Sequence, residues 1–188
     1  MREKKAESCV PIHDLIARRW SSRAFDPDRS ISPDVILALL EAARWAPSCG
    51  GDQPWRYVLC HRATHARPWE RAYACLSPGN QSWAGRAPLL ILVVADNFMG
   101  DGRYNRWGQY DTGAATLNLS LQALDQGLIA HQMGGFDSNR VRRVFGIPAQ
   151  CTPMAIVAVG YPAGEESLAE DLRTREDRKS TRLNSSHV

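Results

Sequence analysis

The sequence predicts a single layered domain of the α/β or α+β class, and three observations support this prediction. The chain has 188 residues, which is enough to bury a hydrophobic core without disulfides and suits one domain. Helical and strand patterns alternate along most of the chain, as expected for helices packed on a sheet. The apolar run 87–95 is too short to span a bilayer and predicts a central strand buried on both faces.

In the first half of the chain, local sequence signals predict a helix followed by a loop. Ser32 fits the N-cap position and Pro33 the first helical position, and the helix should end before Pro47. Two prolines, a glycine pair and small polar residues make 46–55 a loop. The other predicted elements are a short helix at 11–19, a strand at 55–60, and a helix at 67–76 that residues 78–80 break.

The second half predicts a long helix from residue 105 or 107 to 126, followed by two more strands. This helix is apolar on nearly every side, so it should be buried or lie at an interface. The remaining predicted elements are strands at 128–133 and 153–161 and a short helix ending at 145. Beyond residue 164 the chain is polar and predicted to be exposed or disordered. The predicted domain, 11–176, lies between a flexible N-terminus, 1–10, and a disordered or non-native tail, 177–188.

Composition and motifs exclude several classes of protein. Apolar residues make up 44% and charged residues 23%, with a net charge of +3 and no basic block, so no nucleic-acid partner is expected. No signal peptide or membrane span is visible, and five scattered cysteines suit a reducing compartment, so we expect a cytoplasmic protein. His61 and His65 lack further ligands for a metal site. Neither a dinucleotide fingerprint nor a P-loop is present.

The strongest binding motif follows the first predicted helix. Arg19, Ser21 and Arg23 are spaced by two, so an extended backbone would turn all three to one side. Two guanidinium groups and a hydroxyl could then converge on one phosphate. The alternative is a solvated basic helix end whose arginines offset the helix dipole.

Six motifs, taken in order, resemble those of the FMN-dependent nitroreductase family over roughly residues 11–176. The motifs are Arg19-x-Ser21-x-Arg23 with Phe25, Ala46-Pro47-Ser48 leading to Gln53-Pro54-Trp55, Asn80 before the central strand, Asp111 with Gly113, Met133-Gly134-Gly135-Phe136-Asp137, and Val159-Gly160-Tyr161-Pro162. Each motif alone is weak, whereas their joint order and spacing are specific.

The resemblance implies a fold and a set of cofactor contacts. The fold is a central mixed, mainly antiparallel sheet flanked by helices, and FMN lies between the two chains of a homodimer. Asn80 would bind the ribityl chain or the ring edge, and an N–H of Gly134 or Gly135 would point at flavin N5. The residues implied around the phosphate are Arg19, Ser21 and Arg23, with Arg175 near the chain's end and with Pro47, Ser48 and Cys49 from the second subunit.

The implied activity is the reduction of nitroaromatics, quinones or similar electron-poor molecules by NADH or NADPH in a ping-pong mechanism. The flavin carries the hydride, so no side chain needs to act as a catalytic acid or nucleophile. Tyr104 and Trp107 are candidate lids over the substrate slot, with core packing as the alternative. Cys49 could be a nucleophile or have a packing or backbone role. Other functions left open are a specialised flavin dehydrogenase or dehalogenase, a flavin-binding protein without turnover, and an anion-binding module.

Overall fold

The computed structural model describes residues 5–6 and 8–176, except for the side chain of Arg175. Within these residues the chain forms seven α-helices and four β-strands. The helices are α1 (Asp14–Arg18), α2 (Pro33–Arg44), α3 (Ala66–Ala74), α4 (Pro78–Ala84), α5 (Gly108–Asp125), α6 (Ser138–Phe145) and α7 (Glu170–Arg175), and the strands are β1 (Trp55–His61), β2 (Leu89–Asp96), β3 (Ile129–Met133) and β4 (Cys151–Gly160).

The four strands form one sheet in the order β1-β2-β4-β3. All three pairings are antiparallel, which confirms the predicted α+β fold with a mainly antiparallel sheet. The register of β2 against β4 shifts between Val93 and Val94, opposite Pro153. Proline has no N–H to donate to the ladder, so an irregularity is expected there.

The central strand β2 has two buried faces, as predicted from its uninterrupted apolar run. Because side chains alternate along a strand, Leu90, Leu92 and Val94 join one core while Leu89 and Ile91 join the other. Helices α2 and α5 cover the second of these faces, and α3, α4, α6 and α7 contribute to the first. The sheet therefore lies between two helical layers.

The start of α2 has the predicted capping. The Ser32 side chain accepts a hydrogen bond from the N–H of Val35, and Pro33 occupies the first turn. Leu39 and Ala43 are fully buried on its inner face. The helix ends at Arg44, before the predicted loop.

The prediction was wrong about the segment after α3. Residues 78–80 end the preceding helical pattern, but they also begin a further helix, α4, with Ser77 at the N-cap and Pro78 in the first turn. Proline costs nothing in the first turn because its missing N–H would have no partner in the helix. Trp83 of this helix is buried in the core.

The prediction was also wrong for residues 165–176, which are not a uniformly exposed polar segment. Leu168 and Leu172 are buried, four residues apart, and the second lies in α7. The side chain of Glu176 is completely buried. Charged residues on the outer side mask this short apolar stripe in the sequence.

The chain ends are described only in part. Ala6 donates its N–H to the carbonyl of Ala17 at 2.8 Å, and Lys5 forms an ion pair with Asp14. Residues 1–4 and 7 of the predicted flexible N-terminus, and the predicted tail, 177–188, lie outside the described residues. Among the described residues, no helix has the length and apolar character needed to cross a membrane.

Candidate functional site

The motif Arg19-x-Ser21-x-Arg23 lies in an extended segment directly after α1. Arg19 ends the helix with φ −67° and ψ 125°. Beyond it, Ser22 is buried while Ser21 is exposed and Arg23 is half-buried. Ser21 and Arg23 thus share the outer side of the segment, as the spacing of two predicts. Fully buried Phe25 anchors the segment through a β-bridge to Pro162.

A buried carboxylate lies behind this segment. Oε1 of Glu176 accepts hydrogen bonds from Oγ of Ser22 and from the N–H of Arg23, both at 2.7 Å. Nη1 of Arg23 donates to Oε2 of Glu176 at 3.1 Å. The Glu176 side chain has no exposed surface, whereas 22% of the Arg23 side chain is exposed. The guanidinium therefore extends from the buried carboxylate towards the surface.

A second group, half-buried His131 of β3, fixes the same segment from the sheet. Its Nδ1 lies 3.0 Å from the carbonyl oxygen of Ser22, so this nitrogen carries the proton that it donates. Its ring lies 4.5 Å from that of Trp83, which stacks in turn on Phe25 at 6.1 Å. Burial, with a smaller contribution from the positive charge of Arg23, lowers the pKa of His131 to about 4. The imidazole is therefore neutral near pH 7.

The two glycines predicted to face flavin N5 follow directly after β3. The side-chain amide of Asn80 donates from Nδ2 to the carbonyl of Gly135 at 2.9 Å, and the N–H of Ser77 donates to the same oxygen at 2.9 Å. A Cβ at Gly135 would lie 2.8 Å from Oγ of Ser77, so a larger residue here would displace that side chain. A Cβ at Gly134 would meet nothing within 4 Å, so open space adjoins that residue.

The predicted loop 46–55 is tied to the start of α5. The buried carboxylate of Asp111, in the first turn of α5, accepts the N–H of Cys49 at 2.9 Å. Oγ of Ser48 accepts the N–H of Gln53 at 3.1 Å, and Pro47 is exposed. Cys49 thus has a main-chain role in holding the loop, in keeping with the second interpretation of this residue.

The segment that carries Tyr104 and Trp107 is attached to the same loop. Buried Asn105 donates to Oδ2 of Asp52 at 2.9 Å, and the N–H of Gly100 donates to Oδ1 at 3.1 Å. Tyr104 is 66% exposed and Trp107 is 42% exposed, so the core-packing alternative was wrong for both. Large exposed aromatic side chains are available for contact with a ligand or another chain.

The hydrogen bonds and chain connections described above divide the predicted site residues into two groups. The anion cluster comprises Arg19, Ser21, Arg23, Asn80, Gly134 and Gly135, supported by Glu176 and His131. The loop cluster comprises Pro47, Ser48, Cys49, Tyr104 and Trp107, supported by Asp52, Asn105 and Asp111. Arg175 directly precedes Glu176, so its main chain lies beside the anion cluster, and its side chain lies outside what is described.

Sequence reasoning missed the residues that support both clusters. Glu176 and His131 contact residues more than a hundred positions away, and no local pattern indicates such contacts. Asp52 is an ordinary loop residue by sequence. Only Asp111 carried a signal, as part of the motif Asp111-x-Gly113.

Thiol and metal chemistry have little support among the described residues. Burial raises the pKa of Cys60 to about 11, and it also raises the pKa of Cys75 and Cys151. These thiols stay protonated near neutral pH and are poor nucleophiles. Among residues 5–6 and 8–176, no group of three or more His, Cys, Asp or Glu side chains could hold a metal ion.

Comparisons with known proteins agree over most of the chain. The sequence model described as the Nitroreductase family matches residues 16–161. A protein of Archaeoglobus fulgidus, whose name includes "NADH dehydrogenase/NAD(P)H nitroreductase", is 30% identical over 92% of this chain and 96% of its own length. A crystal structure of an oxidoreductase containing FMN is 33% identical, with a TM-score of 0.86 over 94% of this chain and 89% of that one. A nitroreductase from Desulfovibrio desulfuricans in complex with FMN is 27% identical, with a TM-score of 0.68 over 80% of this chain and 85% of that one.

Proposed function

Because the chain belongs to the nitroreductase family and is therefore an oxidoreductase, we propose that it binds FMN and reduces small electron-poor molecules with NADH or NADPH. The anion cluster would hold the cofactor. Arg19, Ser21 and Arg23 would bind its phosphate, with Arg175 reaching the same group. Charge-assisted hydrogen bonds from arginine suit a phosphate because its dianion accepts several donors at once.

The observation that carries this proposal is the way β3 joins the two ends of the anion cluster. His131 contacts the carbonyl of Ser22, and three residues later Gly134 begins the glycine loop. Three residues of a strand span about 10 Å, so positive charge and open backbone lie along one edge. The residues thus fit a ligand that has an anionic end and a flat end.

The chain's own residues would bind and orient the reactants. FMN held by these residues would supply the redox chemistry that links NAD(P)H to a nitroaromatic, quinone or similar substrate. An N–H of Gly134 or Gly135 would face the ring edge, where a side chain would block the approach. Asn80 keeps this loop in place through Gly135 and would also lie beside the ribityl chain. Tyr104 and Trp107 would cover the substrate.

We further propose that two copies of the chain complete the site. The loop cluster makes its hydrogen bonds to α5 and to residues 100–105, whereas the anion cluster is held by Glu176 and His131. The outer face of α5 exposes Tyr110 and Leu117 beside Trp107. Such an apolar face favours a homodimer in which Pro47, Ser48 and Cys49 of one chain meet the phosphate held by the other.

The visible spectrum of the purified protein tests the cofactor. We expect a pair of flavin absorbance peaks after FMN addition and desalting, and anaerobic bleaching on addition of NADH or NADPH. Protein that stays colourless with added FMN would contradict the proposal. Flavin that neither nicotinamide reduces would favour a binding protein without turnover. Steady-state rates should then be measured with a nitroaromatic and, separately, with a quinone. For each of them, double-reciprocal plots against the NAD(P)H concentration at several fixed substrate concentrations should be parallel, as ping-pong exchange requires.

Light scattering tests the assembly. We expect the wild-type protein to have the mass of two chains, and Tyr110→Asp with Leu117→Asp to give monomers that lose FMN. A wild-type monomer that retains FMN would contradict the shared site.

A further inference from the structure

The completely buried side chain of Glu176 makes contacts that the proposed function does not require. A carboxylate is costly to bury unless its charge is paired and its oxygens accept hydrogen bonds. Glu176 meets both conditions through Oγ of Ser22, the N–H of Arg23 and the Arg23 guanidinium. All of these donors belong to the segment that carries the proposed phosphate-binding residues.

We propose that Glu176 is a positioning residue that aims Arg23 at the phosphate of the bound flavin. This inference rests on the proposed function. It goes further by assigning phosphate selectivity to a residue that does not touch the phosphate itself.

The geometry indicates that Glu176 holds Arg23 from the buried side and does not compete with the phosphate for the exposed side of the guanidinium. Glu176 has no exposed surface, while Arg23 reaches the surface with 22% of its side chain. A guanidinium has five N–H donors in a rigid plane. A hydrogen bond from Nη1 to Glu176 therefore fixes the direction in which the whole plane points. Holding one edge of this plane removes rotamers that Arg23 would otherwise lose on binding.

The main-chain contact strengthens the same effect. Oε1 of Glu176 accepts the N–H of Arg23 as well as the hydroxyl of Ser22, so the carboxylate fixes both the backbone and the side chain of Arg23. His131 holds the carbonyl of Ser22 from the other side. The segment that aims Arg23 is therefore held by buried Glu176 and by half-buried His131.

The test compares affinity for FMN with affinity for riboflavin, which lacks the phosphate. We expect wild-type protein to prefer FMN strongly. In Glu176→Gln the amide oxygen can still accept hydrogen bonds from the Ser22 hydroxyl and from the main-chain N–H of Arg23. The amide NH₂ group, however, faces the guanidinium of Arg23, so two hydrogen-bond donors meet without an acceptor. The FMN preference should fall roughly tenfold, the size of one lost charge-assisted hydrogen bond, with riboflavin affinity nearly unchanged.

The sign of the change separates positioning from plain charge. Removing a negative charge beside a phosphate site should tighten FMN binding if Glu176 acts only through the electrostatic field. An unchanged or increased FMN preference in Glu176→Gln would therefore overturn the proposal. A loss of both FMN and riboflavin affinity by the same factor would also overturn it, because a general structural role predicts that result.

Four further variants complete the experiment. Glu170→Gln changes an exposed carboxylate of α7 that pairs with Arg173, and it should leave both affinities unchanged. Adding Glu176→Gln to Arg23→Met should have no further effect on the preference if Glu176 acts through Arg23. Ser22→Ala removes one anchor of the carboxylate without changing charge, and should lower the preference by roughly threefold.

Each failure has its own result. Wild-type protein that binds neither flavin would overturn the proposed function together with this inference. Wild-type protein that prefers FMN, with a preference that Ser22→Ala and Glu176→Gln leave intact, would overturn the inference alone. Thermal unfolding of the flavin-free proteins, followed by circular dichroism, shows that the variants compared are folded.

Discussion

The anion cluster and the loop cluster are both organised by carboxylates, but the carboxylates do different work. In the anion cluster, Glu176 is fully buried and pairs with the charged side chain of Arg23. In the loop cluster, Asp111 and Asp52 accept donors from main-chain N–H groups and from the neutral amide of Asn105. The first arrangement makes the orientation of one charge depend on its partner. The second makes the shape of a loop depend on helix α5.

Arg23→Met tests this difference with the largest expected effect. Without the guanidinium, the buried carboxylate of Glu176 loses its charged partner, so the free energy of unfolding should fall by about 3 kcal/mol. Urea unfolding of the flavin-free protein measures this change. The matched control is Arg173→Met, which breaks an exposed pair with Glu170 and should change stability by less than about 0.5 kcal/mol. Equal effects of the two variants would contradict the special status of the buried pair.

The second prediction concerns pH and again singles out the anion cluster. The pKa of His131 is lowered from 6.5 to about 4 by burial, so the unfolded chain takes up a proton before the native protein does. Stability should therefore be full above pH 6.5 and fall as the pH drops towards 4. Between pH 7 and pH 5 the contribution of His131 is about 2 kcal/mol.

The control for this prediction uses His61, which is buried. Burial also lowers the pKa of His61, which lies in β1, so both residues contribute in the same direction. His131→Asn should reduce the loss of stability between pH 7 and pH 5. His61→Asn should leave unchanged the share of that loss that His131 causes. A pH profile that His131→Asn does not change would show that the ring is charged or accessible in the native protein.

Asp111→Ala tests the loop cluster, and we expect a smaller effect. The variant leaves the N–H of Cys49 without its acceptor and removes a negative charge from the first turn of α5. Together these changes should cost about 1 to 2 kcal/mol of stability. Asp111→Asn keeps an acceptor oxygen and should therefore lose less stability than Asp111→Ala. Hydrogen exchange at the Cys49 amide should become faster in Asp111→Ala, and unchanged exchange would contradict the role of this carboxylate.

The smallest expected effect separates the two adjacent glycines. In Gly135→Ala the new methyl group would displace Ser77 and Asn80, costing about 1 kcal/mol. Gly134→Ala adds a methyl group in open space, so stability should hold while flavin affinity falls. Thermal unfolding and flavin titration of both variants measure these two effects separately. Undisturbed flavin binding in Gly134→Ala would argue against a close approach of the cofactor at this residue.

Local signals in the sequence predicted the frame of the fold but not the contacts that join its parts. The run ending at Ala95 identified a strand buried on both faces, because only a central strand needs apolar residues at every position. Ser32 and Pro33 located the start of α2. The same Ser-Pro pair at Ser77 and Pro78 starts α4, but Gly79 and Asn80, which follow it, predict a break in the chain.

The site was predictable where it depends on spacing and not where it depends on distant partners. Ser21 and Arg23 keep the period of two, because buried Ser22 and Ala24 alternate with them on the inner side. The burial of Glu176 has no local cause, because its donors lie 153 and 154 residues earlier. Charge at Glu176 suggested a solvated end, and only tertiary contacts make that position part of the core.

The long separation between Ser22 and Glu176 also has a consequence for protein synthesis. Ribosomes make the N-terminal segment first, and at about 5 to 20 residues per second the partner carboxylate follows roughly 10 to 30 s later. During this interval the nascent chain carries Arg23 without the group that orients it. The orientation of Arg23 is therefore set only after α7 has been made and has docked against this earlier segment.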